Sequence, residues 1–177
     1  MLRLIRDGLP DPDYTEIWVR DDRIVVVHTG TVGDRGKTQE KIANDSEHVE
    51  RLIAESSAMA CEQGFREIRE DEWFDMVLQY HFDTCESLPD LLAHRHVLEN
   101  LVSQNLGWNG YGRVTGGDIG NDRFNIYCRV ICPEMAAFSA LSELETFGFD
   151  EEIIAAFSHG DTYEVVHPLD FKGKFVP

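Results

Sequence analysis

The stretch from Arg23 to Gln39 constrains the fold of this chain most strongly, because it leads from an apolar strand directly into a glycine-rich turn. The β-branched run Ile24–Val27 is followed by glycines at positions 30, 33 and 36. β-Branched side chains favour strands, and glycine tolerates the positive φ angles of tight turns. The stretch therefore predicts a strand that enters a tight hairpin. Its glycines indicate backbone close to a neighbouring strand or to a ligand.

The flanking segments predict a hairpin and a helix around this stretch. Residues 14–20 alternate between apolar and polar side chains, which is typical of a half-buried strand, and two aspartates at 21–22 turn the chain into the apolar strand. A cap at Asp45 or Ser46, with acidic residues in the first turn, predicts a helix that ends at Gly64. One sheet covered by one helix is expected.

The order of these features resembles the WGR domain, a small β-rich module of poly(ADP-ribose) polymerases and of many bacterial proteins. The matching residues, within about residues 14–68, are Thr29-Gly30-Thr31-Val32-Gly33, Gly36-Lys37 and Gly64-Phe65-Arg66-Glu67-Ile68. The resemblance implies a WGR-like module over residues 1–70. The family's name-giving Trp and Arg, which help the polymerases to hold a DNA end, fall on Thr29 and Thr31. The resemblance therefore implies the fold and not that role.

Residues 71–177 predict a second α+β module with the element order β-α-β-β-α-(α)-β, which is the order of a ferredoxin-like lobe. The expected elements are a strand at 74–82, a helix at 88–106, strands at 111–115 and 123–132 joined by a glycine-rich loop, a helix from Pro133, a short helix at 149–157 and a strand at 162–167. Residues 171–177 are expected to form a polar tail. The predicted fold class is thus α+β, a WGR-like antiparallel sheet with one helix followed by a ferredoxin-like lobe.

The net charge of the chain limits the classes of molecule that it is expected to bind. The net charge is −17, from 33 acidic and 16 basic residues, and the part after residue 70 holds 18 acidic residues against six basic ones. Such a chain repels phosphate backbones and suits a basic protein partner. The alternative interpretation is that the acidic residues only keep the protein soluble. The N-terminus lacks the apolar core of a signal peptide and no apolar run is long enough to span a membrane, so a cytoplasmic protein without membrane association is expected.

No residue pattern predicts catalysis, a metal ion or a cofactor. The loop Gly116–Gly120 lacks the lysine and the hydroxyl of a phosphate-binding loop, which favours an ordinary hairpin loop. His94 and His96 are two residues apart on a predicted helix, so their side chains point in different directions and cannot share a metal ion.

The four cysteines, at positions 61, 85, 128 and 132, form no C-x-x-C pair, which favours reduced cysteines that mostly serve packing. Cys85 with His81, or Cys128 with His167, would be the conceivable nucleophile pairs. Neither pair lies in a motif that would activate a thiol. The chain is therefore predicted not to be an enzyme.

The leading hypothesis is a non-enzymatic binding protein whose acidic second half docks on a basic protein, in the manner of an inhibitor or immunity protein. Trp108 and Tyr111 lie in a glycine-flanked segment. Such a segment can present the two aromatic rings to a partner, or the rings can pack in the protein core. The candidate contact residues are Trp108, Tyr111, Asp118 and Asp122.

The alternative hypothesis is nucleic-acid binding through the WGR-like module, although the net charge disfavours it. The basic residues that would contact phosphates are Arg20, Arg23, Arg35, Lys37 and Lys41. An enzyme with its site between the two modules is a third, weaker hypothesis.

Overall fold

The computed structural model describes residues 1–82, 87–120, 122–149, 153–160 and 162–177. The chain divides into two compact units, residues 1–70 with 108–110 and residues 71–107 with 111–177. Each unit has a five-stranded sheet in which all paired strands are antiparallel, and the described residues form three α-helices. The α+β class that the sequence predicts is confirmed.

The first unit is built on strands β1 (Leu2–Arg6), β2 (Asp13–Arg20), β3 (Ile24–Thr31), β4 (Lys37–Ile42) and β5 (Arg66–Glu67), in the spatial order β4-β3-β2-β1-β5. The β2–β3 hairpin is confirmed, with Arg20 opposite Ile24. Asp21 and Asp22 have φ angles of 54° and 60°. Aspartate tolerates this left-handed conformation better than most residues, which explains the sharp turn.

Helix α1 (Ser46–Glu62) covers one face of this sheet. The Asp45 side chain accepts a hydrogen bond from the backbone N–H of His48 at 2.8 Å, and Gly64 follows the helix with a φ of 89°. The predicted cap and the predicted end are therefore both confirmed. Val49 on the helix packs in a core cluster with Ile17 and Val25 of the sheet.

The second unit is built on strands β6 (Phe74–His81), β7 (Gly112–Ile119), β8 (Arg123–Val130), β9 (Ile153–His159) and β10 (Thr162–His167), in the spatial order β10-β9-β6-β8-β7. Helix α2 (Leu88–Trp108) lies between β6 and β7 in the chain, and helix α3 (Pro133–Thr146) lies between β8 and β9. Pro133 occupies the first turn of α3, as predicted, where its missing N–H would have no helical partner. A single 3₁₀ turn, Glu70–Glu72, precedes β6.

The helix predicted over residues 149–157 is wrong, because residues 153–159 form strand β9. The apolar run contains two alanines, which favour a helix when the sequence is taken alone. In the sheet, however, β9 pairs with β6 on one side and β10 on the other, and most of its residues are buried. A strand in this position loses the polar–apolar alternation that identifies a half-buried strand. Asp150, the predicted start of the helix, lies outside the described residues.

The glycine-rich segment predicted as a loop at residues 116–122 belongs mostly to strand β7, which extends to Ile119 with a register shift between Val114 and Gly116. A Cβ atom on Gly117 would lie 2.5 Å from the Asn125 carbonyl oxygen. Glycine there lets β7 approach β8 closely, so the glycines serve strand pairing. Helix α2 also runs past residue 106, its predicted end, to Trp108.

The predicted polar tail is wrong as well, because the C-terminal segment packs on the second sheet. Phe175 is buried in a cluster with Val77 and Ala156. The Gln79 side chain donates a hydrogen bond to the Val176 carbonyl at 3.0 Å. The aromatic residues of this segment supply an apolar face, although the lysines between them suggest solvent exposure in the sequence.

Candidate functional site

Helix α3 presents its largest apolar side chains to solvent. Its buried side is made of small or aliphatic residues, Ala136, Ala137, Ala140 and Leu144. Phe138 is 67% exposed and Met135 is 54% exposed. At 100° per residue, these two lie opposite the buried side together with exposed Glu134 and Glu145. We call Glu134, Met135, Phe138 and Glu145 the α3 stripe.

The electrostatics of the α3 stripe favour a cation. The helix contains Glu134, Glu143 and Glu145 and no lysine or arginine. Glu134 lies in the first turn, where the helix dipole stabilises a carboxylate, whereas Glu145 lies in the last turn, where the dipole destabilises one. A positive group bound beside Glu145 would relieve this repulsion. The stripe thus combines an exposed aromatic residue and a methionine, both enriched in protein interfaces, with a negative rim.

The aromatic residues predicted to contact a partner are less available than expected. Tyr111 is only 4% exposed, so its ring belongs to the core. Trp108 is 37% exposed. Its ring lies edge-on to the His28 ring at 5.0 Å, and the Arg35 guanidinium carbon is 5.5 Å from the indole centroid. Trp108 therefore has contacts inside the first unit that compete with any role at the surface.

The two predicted acidic contact residues both have partners within the second unit. The carboxylate of Asp118 accepts hydrogen bonds from the Asn125 amide at 2.8 Å and from the Tyr127 hydroxyl at 2.7 Å. The carboxylate of Asp122 lies 3.3 Å from Nε of its neighbour Arg123. Asp118 thus holds β7 to β8. These acids lie on the sheet and its turn, and neither is part of the α3 stripe.

The basic residues predicted to contact phosphates are not gathered on one surface. Side chains alternate along a strand, so Arg20 points to one face of the first sheet and Lys41 to the face that α1 covers. Arg20 also pairs with Glu40 at 2.9 Å. Arg23 and Arg35 are exposed in turns, and Lys37 is exposed at the start of β4. The strand geometry separates residues that are close in sequence.

A row of buried polar side chains crosses the face of the first sheet that α1 does not cover. Arg3 on β1, Glu16 on β2 and His28 on β3 lie opposite one another in register. Arg3 forms an ion pair with Glu16, and His28 Nδ1 lies 3.7 Å from the same carboxylate. His28 Nε2 lies 3.2 Å from the Tyr14 hydroxyl. The pattern predicted that Glu16 would face solvent, but only 4% of it is exposed.

Burial determines the protonation states of Tyr14 and His28 in this row. It raises the pKa of Tyr14 to about 12, so the phenol stays neutral. Burial also lowers the pKa of His28, and the Arg3 charge lowers it further. Glu16 would favour a charged imidazole, but its own charge is already paired with Arg3. A neutral His28 between a carboxylate and a phenol has the components of a proton relay, yet His28 and Tyr14 are 1% and 0% exposed, which leaves no access for a substrate.

The glycine-rich turn binds a segment of its own chain. The backbone N–H of Gly33 donates to the Asn109 carbonyl at 2.9 Å, and that of Gly36 donates to the Trp108 carbonyl at 3.2 Å. The Tyr14 hydroxyl donates to the same Trp108 carbonyl at 2.9 Å. The sequence predicted that these glycines lie close to a neighbouring strand or to a ligand. The described contacts support the neighbouring strand, and they add residues 108–110 as a second segment close to the turn.

The thiol–histidine pairs considered from the sequence gain no support from the geometry. Strands β6 and β9 lie between Cys128 on β8 and His167 on β10, which places the two residues at least three strand spacings, about 14 Å, apart. Burial raises the pKa of Cys128 to about 12, so its thiol stays protonated. Cys85, the partner considered for His81, lies outside the described residues.

Among the described residues, no cluster of three or more His, Cys, Asp or Glu side chains could hold a metal ion. His94 packs against the rings of Tyr80, Phe124 and Phe149, whereas His96 lies beside Glu99 at 3.3 Å. The described helices include none that is long and apolar enough to cross a membrane.

The sequence pattern predicted helix α3 but not the α3 stripe. A helical projection of residues 133–146 places alanines on one side and Met135 with Phe138 on the other. Hydrophobicity alone predicts that the larger side chains face the core, which is the opposite of what the structure shows. The useful signal is the concentration of alanines, since small side chains allow a helix to lie close to its neighbours.

Comparison with known proteins gives no relative for this geometry: no protein-family model, curated protein or solved structure matches the chain.

Proposed function

We propose that this chain is a non-enzymatic binding protein whose second unit docks on a basic protein through the α3 stripe. The observation that carries the proposal is the exposure of Phe138 and Met135 on a helix that contains three glutamates and no basic residue. Exposed aromatic residues with an acidic rim fit a partner that offers an apolar pocket surrounded by lysine or arginine. Charge complementarity would speed association, and the apolar contacts would slow dissociation.

The composition of the chain supports the same partner class. After residue 70 the acidic residues outnumber the basic ones by 18 to six. A surface of this charge attracts cationic proteins over several ångströms and repels nucleic acids. Within this proposal, the biological role is that of a cytoplasmic inhibitor or immunity-like protein that covers the basic working surface of its target.

We also propose the finer fold assignments for the two units. A WGR-like first unit is supported by its antiparallel sheet, its single helix α1 and the glycine turn between β3 and β4. A ferredoxin-like second unit is supported by the spatial order β9-β6-β8-β7, in which two helix-connected pairs of strands interleave, with β10 added at the β9 edge.

The test is partner capture with matched variants of the full chain. Phe138→Ser removes the apolar anchor, and the double variant Glu134→Lys, Glu145→Lys reverses the rim charge. Ile42→Ser serves as the control, because Ile42 is an apolar residue that is 77% exposed on the other unit. Each chain is immobilised, incubated with native lysate of the source cells and eluted with increasing salt. Bound proteins are identified, and the strongest is purified for calorimetry.

The expected result is a basic protein that elutes with salt and is retained by wild type and Ile42→Ser. Phe138→Ser should weaken its binding by about 2 kcal/mol, roughly 30-fold, as is typical of an interface hot spot. The charge-reversal variant should bind still more weakly because it repels the partner. Binding that is unchanged in both α3 variants, or a captured partner that is acidic, would contradict the proposal.

The alternative, nucleic-acid binding through the first unit, is tested on the same preparations. Arg35 and Lys37 are exposed beside the glycine turn and would be its phosphate contacts. A gel shift at low salt that Arg35→Glu abolishes would favour this alternative over protein docking. From the net charge, we expect no shift at micromolar protein.

A further inference from the structure

The first unit contains a polar cavity of about 260 Å³ that is open to solvent and lies between helix α1 and strands β2, β3 and β4. The strands contribute two threonines, a valine, a glutamine and a lysine, and the C-terminal part of α1 with the residue after it contributes a serine, a methionine, an alanine and a glutamine. The lining residues are Thr15, Val27, Thr29, Gln39, Lys41, Ser56, Met59, Ala60 and Gln63. None of this set is used by the proposed docking function.

The cavity exists because the inward side of α1 changes character along its length. Val49, Leu52 and Ile53 pack on the sheet in an apolar cluster. One turn later the same side carries Ser56, and two turns later it carries Ala60, which packs in a second apolar cluster with Leu4 and Phe65. Between the two clusters, the short side chains of Ser56 and Ala60 leave room beside strands β3 and β4. Opposite them, Thr15 and Thr29 form a cross-strand pair that faces the helix. The gap is therefore bordered by hydroxyl groups where an ordinary core would have aliphatic ones.

Lys41 places a positive charge in this gap. It lies on β4 and is only partly exposed, and its Nζ donates a hydrogen bond to the Ser56 hydroxyl at 2.9 Å. Ser56 in turn donates to the Leu52 carbonyl at 2.7 Å. An ammonium group has three donors, and within the described part of the chain this one makes no ion pair with a carboxylate. The charge is thus held in place by a hydroxyl and remains available to an anion.

The chemistry of the lining selects the ligand class. The polar groups are hydroxyls, carboxamides and one ammonium, all of which can donate hydrogen bonds, and the described lining contains no carboxylate that would repel an anion. The volume lies slightly below that of pockets for drug-sized ligands, which suits a small molecule. We propose that this cavity binds the phosphate or carboxylate group of a small organic anion, with Lys41, held in place by Ser56, as the charged contact and Thr29 as the hydroxyl contact.

The test is a titration of the ¹⁵N-labelled full chain with inorganic phosphate and, separately, with succinate, at constant ionic strength set by chloride. Amide resonances of Thr29, Lys41, Ser56 and Gln63 should move in a saturable way with a Kd of about 1 mM or below in at least one arm. Whichever anion binds more tightly identifies the preferred group. Glycerol at the same concentration is the uncharged control.

Two lysine variants separate a site from general charge effects. Lys41→Met should weaken binding about tenfold or more, the loss expected for a hydrogen bond to a charged group. Lys172→Met removes one charge from an exposed lysine of the other unit that does not line the cavity, and the Kd should stay within about twofold. The amide spectrum of each variant reports its folding directly.

Thr29→Val keeps the shape of the cavity and removes one hydroxyl. If Lys41→Met does not fold, the affinity of Thr29→Val tests the proposal instead. The substitution should weaken binding about threefold or more, through the loss of one hydrogen bond. The absence of saturable shifts with both anions would overturn the proposal. Equal losses in Lys172→Met and Lys41→Met would also overturn it. If Lys41→Met does not fold, full binding by Thr29→Val would overturn it as well.

Discussion

Gly36 lies at a position where no side chain fits. A Cβ atom there would collide with the Tyr14 hydroxyl, with His28 Nε2 and with the Thr29 carbonyl. Two of these groups are fully buried side chains and the third is backbone, so none of them can move aside easily. Glycine is thus required at this position of the turn because groups of strands β2 and β3 lie directly beside it.

We therefore expect Gly36→Ala to lower the free energy of unfolding by about 1–3 kcal/mol, the range for overpacking. Urea denaturation monitored by circular dichroism measures the effect. Gly107→Ala is the matched control, since an added Cβ there meets nothing within 4 Å and Gly107 lies inside α2. That substitution should stabilise the chain by about 0.5–1 kcal/mol through helix propensity. Equal effects of the two substitutions would contradict this account.

His28 makes stability depend on pH. Its pKa in the folded chain is below the usual 6.5 because of burial and Arg3, so the unfolded chain takes up the proton first on acidification. The groups that face the imidazole are Glu16, Tyr14, Arg3 and Arg35. The stability that a neutral His28 provides is complete above pH 6.5 and is lost as the pH falls from 6.5 towards the folded pKa.

The measurement compares wild type with His28→Gln in urea denaturation between about pH 7 and pH 5. The free energy of unfolding of wild type should fall more steeply with acidification than that of the variant, by at most about 1.4 kcal/mol per pH unit for one proton. The difference between the two curves removes the contributions of the other histidines. Parallel curves would mean that His28 takes up its proton at the same pH in the folded and the unfolded chain, and would contradict a lowered pKa.

At the scale of elements, local patterns predicted those segments whose signals are local. The β2–β3 hairpin, the Asp45 cap of α1 and the proline start of α3 depend on residues that are neighbours in sequence. Strand β9 was predicted as a helix because its position inside the sheet depends on pairing with β6, which lies far away in the chain. The pairing of Arg3 with Glu16 depends on strand register, which sequence spacing does not reveal.

The C-terminal segment is an element in its own right, because Phe175 anchors it in the cluster with Val77 and Ala156. Phe175→Ala should lower the free energy of unfolding by about 3–5 kcal/mol, the usual range for a buried phenylalanine. Leu169→Ala is the control, since Leu169 is almost fully exposed and should change stability by less than about 0.5 kcal/mol. Denaturant unfolding of both variants decides whether the segment is structural, and a negligible effect of Phe175→Ala would mean that it is not.

At the scale of the whole molecule, composition predicted the negative charge of the candidate site, whereas its position follows only from the structure. An excess of carboxylates follows from counting residues, whereas the exposure of Phe138 depends on which side of α3 is buried. The predicted contacts Asp118 and Asp122 carry the same charge, yet their side chains have partners in the second unit. Net charge therefore indicates a class of partner, and only packing selects the residues that would meet it.

Salt should stabilise this chain near neutral pH. Sixteen basic residues can pair singly with at most 16 of the 33 acidic ones, so many carboxylates repel one another without compensation. Exposed ion pairs such as Arg20–Glu40 contribute little, about 0–1 kcal/mol each. Raising NaCl from about 10 mM to 150 mM shortens the screening length from about 30 Å to about 8 Å and weakens the repulsion more than the close pairs. The urea midpoint at pH 7 should therefore rise with NaCl.

At pH near 4.6, where the net charge vanishes, the rise should disappear, which separates screening from other effects of the salt. A midpoint that falls with NaCl at pH 7 would mean that the ion pairs outweigh the carboxylate repulsion, and would remove the electrostatic basis for a basic partner.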